Sequence, residues 1–195
     1  GVVGCDYAGE YRRFTAETDA VLQFCWAHLI RDVKYLTTLP DAVTRRFGEK
    51  LLEKIKVLFR LWHRRETTPP ERWQRKAAHA RQKILHTVRR APPRTEARNL
   101  ARRFRDHGPY YFTFLERPGV EPTNNGIERQ FRFLIVDRKV TQGTRGKAGR
   151  RWCERIWTAL ATCAQRARSA FVYLSEAIAA YFHGQAGPSL LAQPP

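Results

Sequence analysis

Two long runs of helical apolar spacing, separated by prolines, constrain this chain more than any other feature. Leu51, Ile55, Leu58 and Trp62 recur at steps of three and four, as do Trp73, Ala77, Ala80, Ile84 and Val88. That period places each set on one face of an α-helix. Thr67-Thr68-Pro69-Pro70 stops the first helix and starts the second, with Glu71 in its first turn. Pro40 precedes the block, Ala91-Pro92-Pro93 breaks it, and Thr95 to Phe104 reads as a shorter basic helix. Residues 42–108 hold 20 Lys plus Arg against 6 Asp plus Glu, so +14 of the net +18 lies here. The apolar faces are expected to pack together with the arginines outward. A charged, solvated bundle carries the same pattern. A polyanionic partner explains the clustering as well, and nucleic acid is the commonest one.

The segment before this block alternates differently. Val2-Val3-Gly4-Cys5 is a short apolar run that ends in Asp6, which predicts a buried strand with a carboxylate at its C-terminal end. Ligand sites of α/β sheets lie at that edge. Asp6 can equally serve as an N-cap for a helix over the residues that follow, and both roles can hold at once. Val21 to Trp26 is a second strand candidate, and the spacing of Leu29, Val33 and Leu36 predicts a helix from about Ala27. Residues 1–38 therefore read strand–helix–strand–helix, with both strands in one sheet. Cys25 and His28 do not amount to a zinc site, because Cys153 and Cys163 stand ten apart and supply no second pair. His28 reads either as a half-buried, satisfied histidine or as a group near the edge where Asp6 sits.

Beyond the basic block, Tyr110 to Leu115 is rich in aromatics and is expected to pack that block onto the rest. Pro122-Thr123-Asn124-Asn125-Gly126 is turn chemistry, after which Ile127, Phe131 and Leu134 share a helical face. Glu128 then sits in the first turn of a helix, where the partly positive N-terminus suits a carboxylate. Arg129 and Arg132 lie within one turn of it, so an intrahelical Glu–Arg pair is one reading. Gly143-Thr144-Arg145-Gly146-Lys147-Ala148-Gly149 reads as a flexible basic loop without Walker spacing. Trp152, Ile156, Leu160 and Cys163 predict one more helix, and Phe171, Leu174, Ile178 and Tyr181 another, with Gly184 as its stop. The tail from Pro188 to Pro195 is expected to be loose.

At 195 residues with 43% hydrophobic side chains, the chain is long and apolar enough for a globular core. No run approaches the roughly 20 apolar residues of a membrane span. Four cysteines in an otherwise ordinary composition suggest reduced thiols and a cytoplasmic setting. The chain opens on Gly1 rather than Met, which suggests a piece of something longer.

Three motifs carry a family resemblance. Asp6-Tyr7-Ala8-Gly9-Glu10-Tyr11, Cys25-Trp26-Ala27-His28-Leu29-Ile30-Arg31-Asp32 and Asn124-Asn125-Gly126-Ile127-Glu128-Arg129, the last continued to Gly149, resemble in order the signatures of insertion-sequence transposases of the sixty-six family. The resemblance implies an Asp-Asp-Glu catalytic triad in which Asp6 is the second acid and Glu128 the last. No segment matches the first Asp. It further implies an α/β, ribonuclease-H-like core, incomplete at its N-terminus and mostly α by content. Residues 1–38 would be that partial core, 39–120 a basic helical insertion, and 121–195 the helix of the last acid plus the C-terminal helices. His28, Asn125, Arg129 and Arg132 become candidate active-site neighbours. Arg64, Arg65, Arg75, Lys76, Arg138, Lys139, Arg145 and Lys147 become candidate contacts to DNA.

The implied chemistry explains the residue types. Strand cleavage and transfer put negative charge on the attacking and leaving oxygens, which paired divalent ions stabilise. Mg²⁺, or Mn²⁺, prefers carboxylate and water oxygens, so acids distant in sequence must converge. The expected partners are double-stranded transposon ends and target DNA, with a homo-oligomer as the active complex and no membrane. The expected function is DNA transposition, with these 195 residues alone inactive for want of the first Asp and liable to aggregate through an unpaired sheet edge. The competing reading is a catalytically inactive, basic helical remnant that only binds DNA.

Overall fold

The computed structural model describes residues 1–191, and side chains other than those of Arg12 and Ala16. The chain is mostly helical with a small two-stranded parallel sheet. It divides into two compact units, Gly1–Asn125 and Gly126–Pro195.

The first unit opens with β1 (Val2–Cys5), α1 (Gly9–Ala16), β2 (Val21–Phe24) and α2 (Trp26–Thr38). The strands pair in parallel, Val2 opposite Val21 and Cys5 opposite Phe24. The strand–helix–strand–helix order expected for residues 1–38 is what forms, although β2 stops two residues before Trp26, which instead begins α2. Trp26 is fully buried and donates its indole N–H to the carbonyl of Tyr111.

The basic block forms α3 (Ala42–His63), α4 (Pro70–Arg89) and α5 (Thr95–His107). Asp41 caps α3 by accepting from Thr44 N at 2.8 Å, and hydrogen bonding to Thr44, through its side chain first and then its backbone, lowers the Asp41 carboxyl pKa from its usual value. Leu51, Ile55, Leu58, Ala77, Ala80, Ile84 and Val88 are buried, as their spacing requires. Helices α2 and α3 pack tightly at Gly48. A Cβ there would stand 2.9 Å from Leu36 Cβ and 3.2 Å from the backbone nitrogen of Thr37, so only glycine fits without a shift. A 3₁₀ turn (Gly108–Tyr111) and a short α6 (Thr113–Glu116) follow. They place Tyr111, Phe112 and Phe114 inside the core beside Trp26, which meets each of these rings edge-on. The aromatic stretch thus packs the helical block onto the sheet, as expected. One continuous core runs from Cys5 to Phe114.

The second unit holds α7 (Asn125–Val140, its first residue closing the first unit), α8 (Lys147–Gln165) and α9 (Ala170–Phe182). Ile127, Phe131 and Leu134 do share a face. They line a groove of about 820 Å³ with Trp157 of α8, yet α7 buries no residue. Ser169 caps α9 through Val172 N, and Gly184 follows its end at φ 64°. Of the expected loose tail, residues 192–195 lie outside the described residues. Among the described residues no helix is long and apolar enough to cross a membrane.

Candidate functional site

Asp6 stands directly after β1, at the C-terminal edge of the parallel pair. It does not cap α1. The helix begins at Gly9 behind an extended Ala8, and the Asp6 carboxylate instead accepts from Ala8 N at 3.0 Å, closing an Asx turn. The N-cap reading is thereby corrected: the strand ends too early for Asp6 to reach the helix's first amides. Among the described residues this is the carboxylate's one hydrogen bond, so most of its lone pairs stay available to a cation. The neighbouring Cys5 thiol is pushed up to about 12 by burial first, then by the charge of Asp6 and by Cys25.

The end of β2 forms the same edge. Cys25 N donates to Cys5 O at 2.7 Å, tying the two motif segments together just where both strands stop. His28 follows in the first turn of α2, half-buried. The Pro122–Asn124 loop docks on this edge through two contacts: Trp26 N donates to Pro122 O at 2.9 Å, and Asn124 N to Cys25 Sγ at 3.5 Å. The loop of the third motif is therefore held against the second motif, which itself is bonded to the segment of Asp6. Asn124 is half-buried, and its side-chain Oδ1 has no hydrogen-bond partner among the described residues.

The helical block supports this edge. Arg103 of α5 bonds the Asp32 carboxylate at 2.6 Å, and its guanidinium lies 5.0 Å over the ring of Tyr7, next to Asp6. Burial works to lower the Arg103 pKa, but the hydrogen bond and charge of Asp32 outweigh it and hold the guanidinium protonated. Tyr7 packs edge-on to Phe24 at 5.2 Å. The Tyr111 hydroxyl is pushed up, mainly by burial. Arg103 escaped the sequence reading because its partners, Asp32 and Tyr7, lie 71 or more residues away. Asn124 was in the quoted motif, and only its burial separates it from Asn125.

The remaining candidates fall as follows. Asn125 is the exposed first residue of α7. Glu128, Arg129 and Arg132 occupy exposed positions on its first turns, and Arg138 and Lys139 its last turn. Arg145 lies in the loop before α8, and Lys147 begins that helix, both exposed. Arg64 ends α3 as an exposed cap residue. Arg65 differs: it lies 4.0 Å over Trp62 and pairs with Glu66 at 3.3 Å, which makes it a packing residue first. Arg75 and Lys76 are exposed on α4 and line a groove with α3.

No match to the chain was found among curated proteins or among solved structures. A family model described as "Transposase IS66 family" matches residues 1–151, a span that includes the Asp6 turn, the Cys25–Asp32 segment, the whole helical block and α7. The chain belongs to the IS66 family of transposases.

Proposed function

We propose that this chain carries catalytic parts of a DNA transposase, in which Asp6 and Glu128 are two acids of an Asp-Asp-Glu site. The observation that carries the reading is the edge at which β1 and β2 end. Asp6 sits on it in an Asx turn, and the loop leading to Glu128 is pinned to it through Trp26 and Cys25. A parallel β1–α1–β2 unit with an acid just past its first strand agrees with a ribonuclease-H-like core.

In the reaction, an oxygen nucleophile (water for cleavage, a 3′-hydroxyl for transfer) gives up its proton to solvent and forms a new P–O bond as the bond to the leaving 3′-oxygen breaks, and the leaving oxygen takes up a proton from solvent. Mg²⁺ or Mn²⁺, held by Asp6 and Glu128, would stabilise charge on both oxygens and acidify the attacking water. The turn bond from Ala8 N orients the Asp6 carboxylate. Arg103 of the helical block bonds Asp32 and lies over Tyr7, which ties the Asp6 segment to that block. Arg129 and Arg132 on α7, with Arg138, Lys139, Arg145 and Lys147 beyond, supply cations for backbone phosphates. The substrate is double-stranded DNA, transposon ends and target alike.

Glu128→Gln keeps shape and removes charge. The melting temperature should be unchanged, whereas Mg²⁺-dependent nicking of transposon-end DNA by the transposase should be abolished. Retained nicking at the parent rate would remove Glu128 from the catalytic set and favour a DNA-binding remnant.

A further inference from the structure

The arginines and lysines of the helical block divide into two sets. Those that reach back to the protein are engaged. Arg81 bonds Glu116 at 2.6 Å with its guanidinium 5.1 Å over Phe112, Arg103 bonds Asp32, and Arg65 stacks on Trp62. The outer stripe of α4 is different. Among the described residues, no carboxylate pairs with Arg72, Arg75, Lys76 or Lys83. Their spacing puts them on one side of the helix, together with His79 and His86. Facing Lys54, Val57 and Leu61 of α3, this stripe lines an open groove of about 870 Å³ with no acidic residue in its walls.

We propose that the α3–α4 groove is a track for the sugar-phosphate backbone of double-stranded DNA. The proposal deepens, and rests on, the reading that the protein works on DNA. Arg72 to Lys83 spans about 16 Å along the helix axis. One strand of B-DNA presents about five phosphates over that length. The walls hold no Asn or Gln to pair with adenine and no carboxylate to accept from cytosine; their row of cations matches the regular phosphate spacing of a backbone. No Phe, Tyr or Trp lines the groove; its only rings are the imidazoles of His79 and His86, a slight platform for stacking a single strand. Its apolar strip, Val57, Leu61 and Ala80, is too slight to seat the repeated anchors of an amphipathic protein helix.

The test is a salt titration of binding to two unrelated labelled duplexes, with no divalent ion present. In Arg72→Ala/Lys83→Ala, the slope of log affinity against log salt should shrink by about 1.8, at roughly 0.9 per lost phosphate contact. The loss should be alike on both duplexes and leave the melting temperature unchanged, since both side chains are exposed. Lys56→Ala/Arg60→Ala removes the same charge from exposed α3 positions outside the groove and should keep the parent slope. An unchanged slope in the groove variant, or an equal loss in both variants, overturns the track. So does an acidic helical peptide that occupies the groove while leaving DNA binding intact. Because no cleavage is measured, the two readings fail separately. A chain that never nicks DNA can still show the track, and one that nicks it with an unchanged slope keeps the transposase reading and loses the track.

Discussion

Cys5 shows how closely the edge chemistry is tied to packing. It is 1% exposed, one residue from Asp6, and hydrogen-bonded through its carbonyl to the Cys25 amide. Burial, then the adjacent carboxylate, raise its thiol from an ordinary value of 9.0 to about 12. The sign follows directly. The unfolded chain ionises first as pH rises, so stability is intact below about 9 and declines between about 9 and 12. Urea midpoints taken at pH 8 and pH 10 should fall for the parent chain, and Cys5→Ala should remove that part of the fall. An alkylating reagent at pH 8 should label the half-exposed Cys153 and spare Cys5. Prompt labelling of Cys5 in the folded chain would mean that the β1 edge opens readily.

At the scale of elements, β2 is fastened to the far end of the helical block by buried polar contacts. Gln23 donates from Nε2 to Phe24 O at 2.7 Å and accepts at Oε1 from Phe114 N at 2.7 Å. Thr113 Oγ1 donates to Leu22 O at 2.6 Å. Such contacts carry weight because neither partner can reach water, so losing one strands the other. Gln23→Leu keeps the volume but leaves the Phe114 amide unpaired, and should destabilise the first unit by about 1–3 kcal/mol in urea unfolding. A loss well under that range would show that another acceptor replaces Oε1. Periodicity had marked residues 21–26 as a strand with polar flanks. It could not show that Gln23, polar and inside that strand, is 1% exposed, because its partners come from residues 111 and 114.

For the molecule as a whole, the apolar core belongs to the first unit. Every residue of the continuous core lies between Cys5 and Phe114. In the second unit, Ala159 and Cys163 are the buried hydrophobics among the described residues, while Trp152, Phe171, Tyr181 and Phe182 stay largely exposed. Residues 1–125 alone should therefore melt cooperatively near the parent temperature, and residues 126–195 alone should show helical circular dichroism without a sharp transition. A cooperative melt of the C-terminal piece, or an unfolded N-terminal piece, would contradict this division.

The sequence by itself determined the helices of the basic block, their breaks at proline, the placement of two strands in one sheet and the family, because these rest on local periodicity, turn residues and short motifs. Leu51, Ile55, Leu58, Ile84 and Val88 are buried where their spacing put them. Asp6 was placed at a strand end by the apolar run before it. What only the tertiary structure decided depends on partners far apart in the chain. Asp6 closes an Asx turn rather than a helix cap, since the length of β1 and the start of α1 set which amide it meets. Arg65 and Arg81 pack against rings and carboxylates, while Arg72, Arg75, Lys76 and Lys83 face an open groove. A one-dimensional count of charge treats all six alike. Only burial and the placement of acids from other helices separate a cation that holds the fold from one left to meet a phosphate.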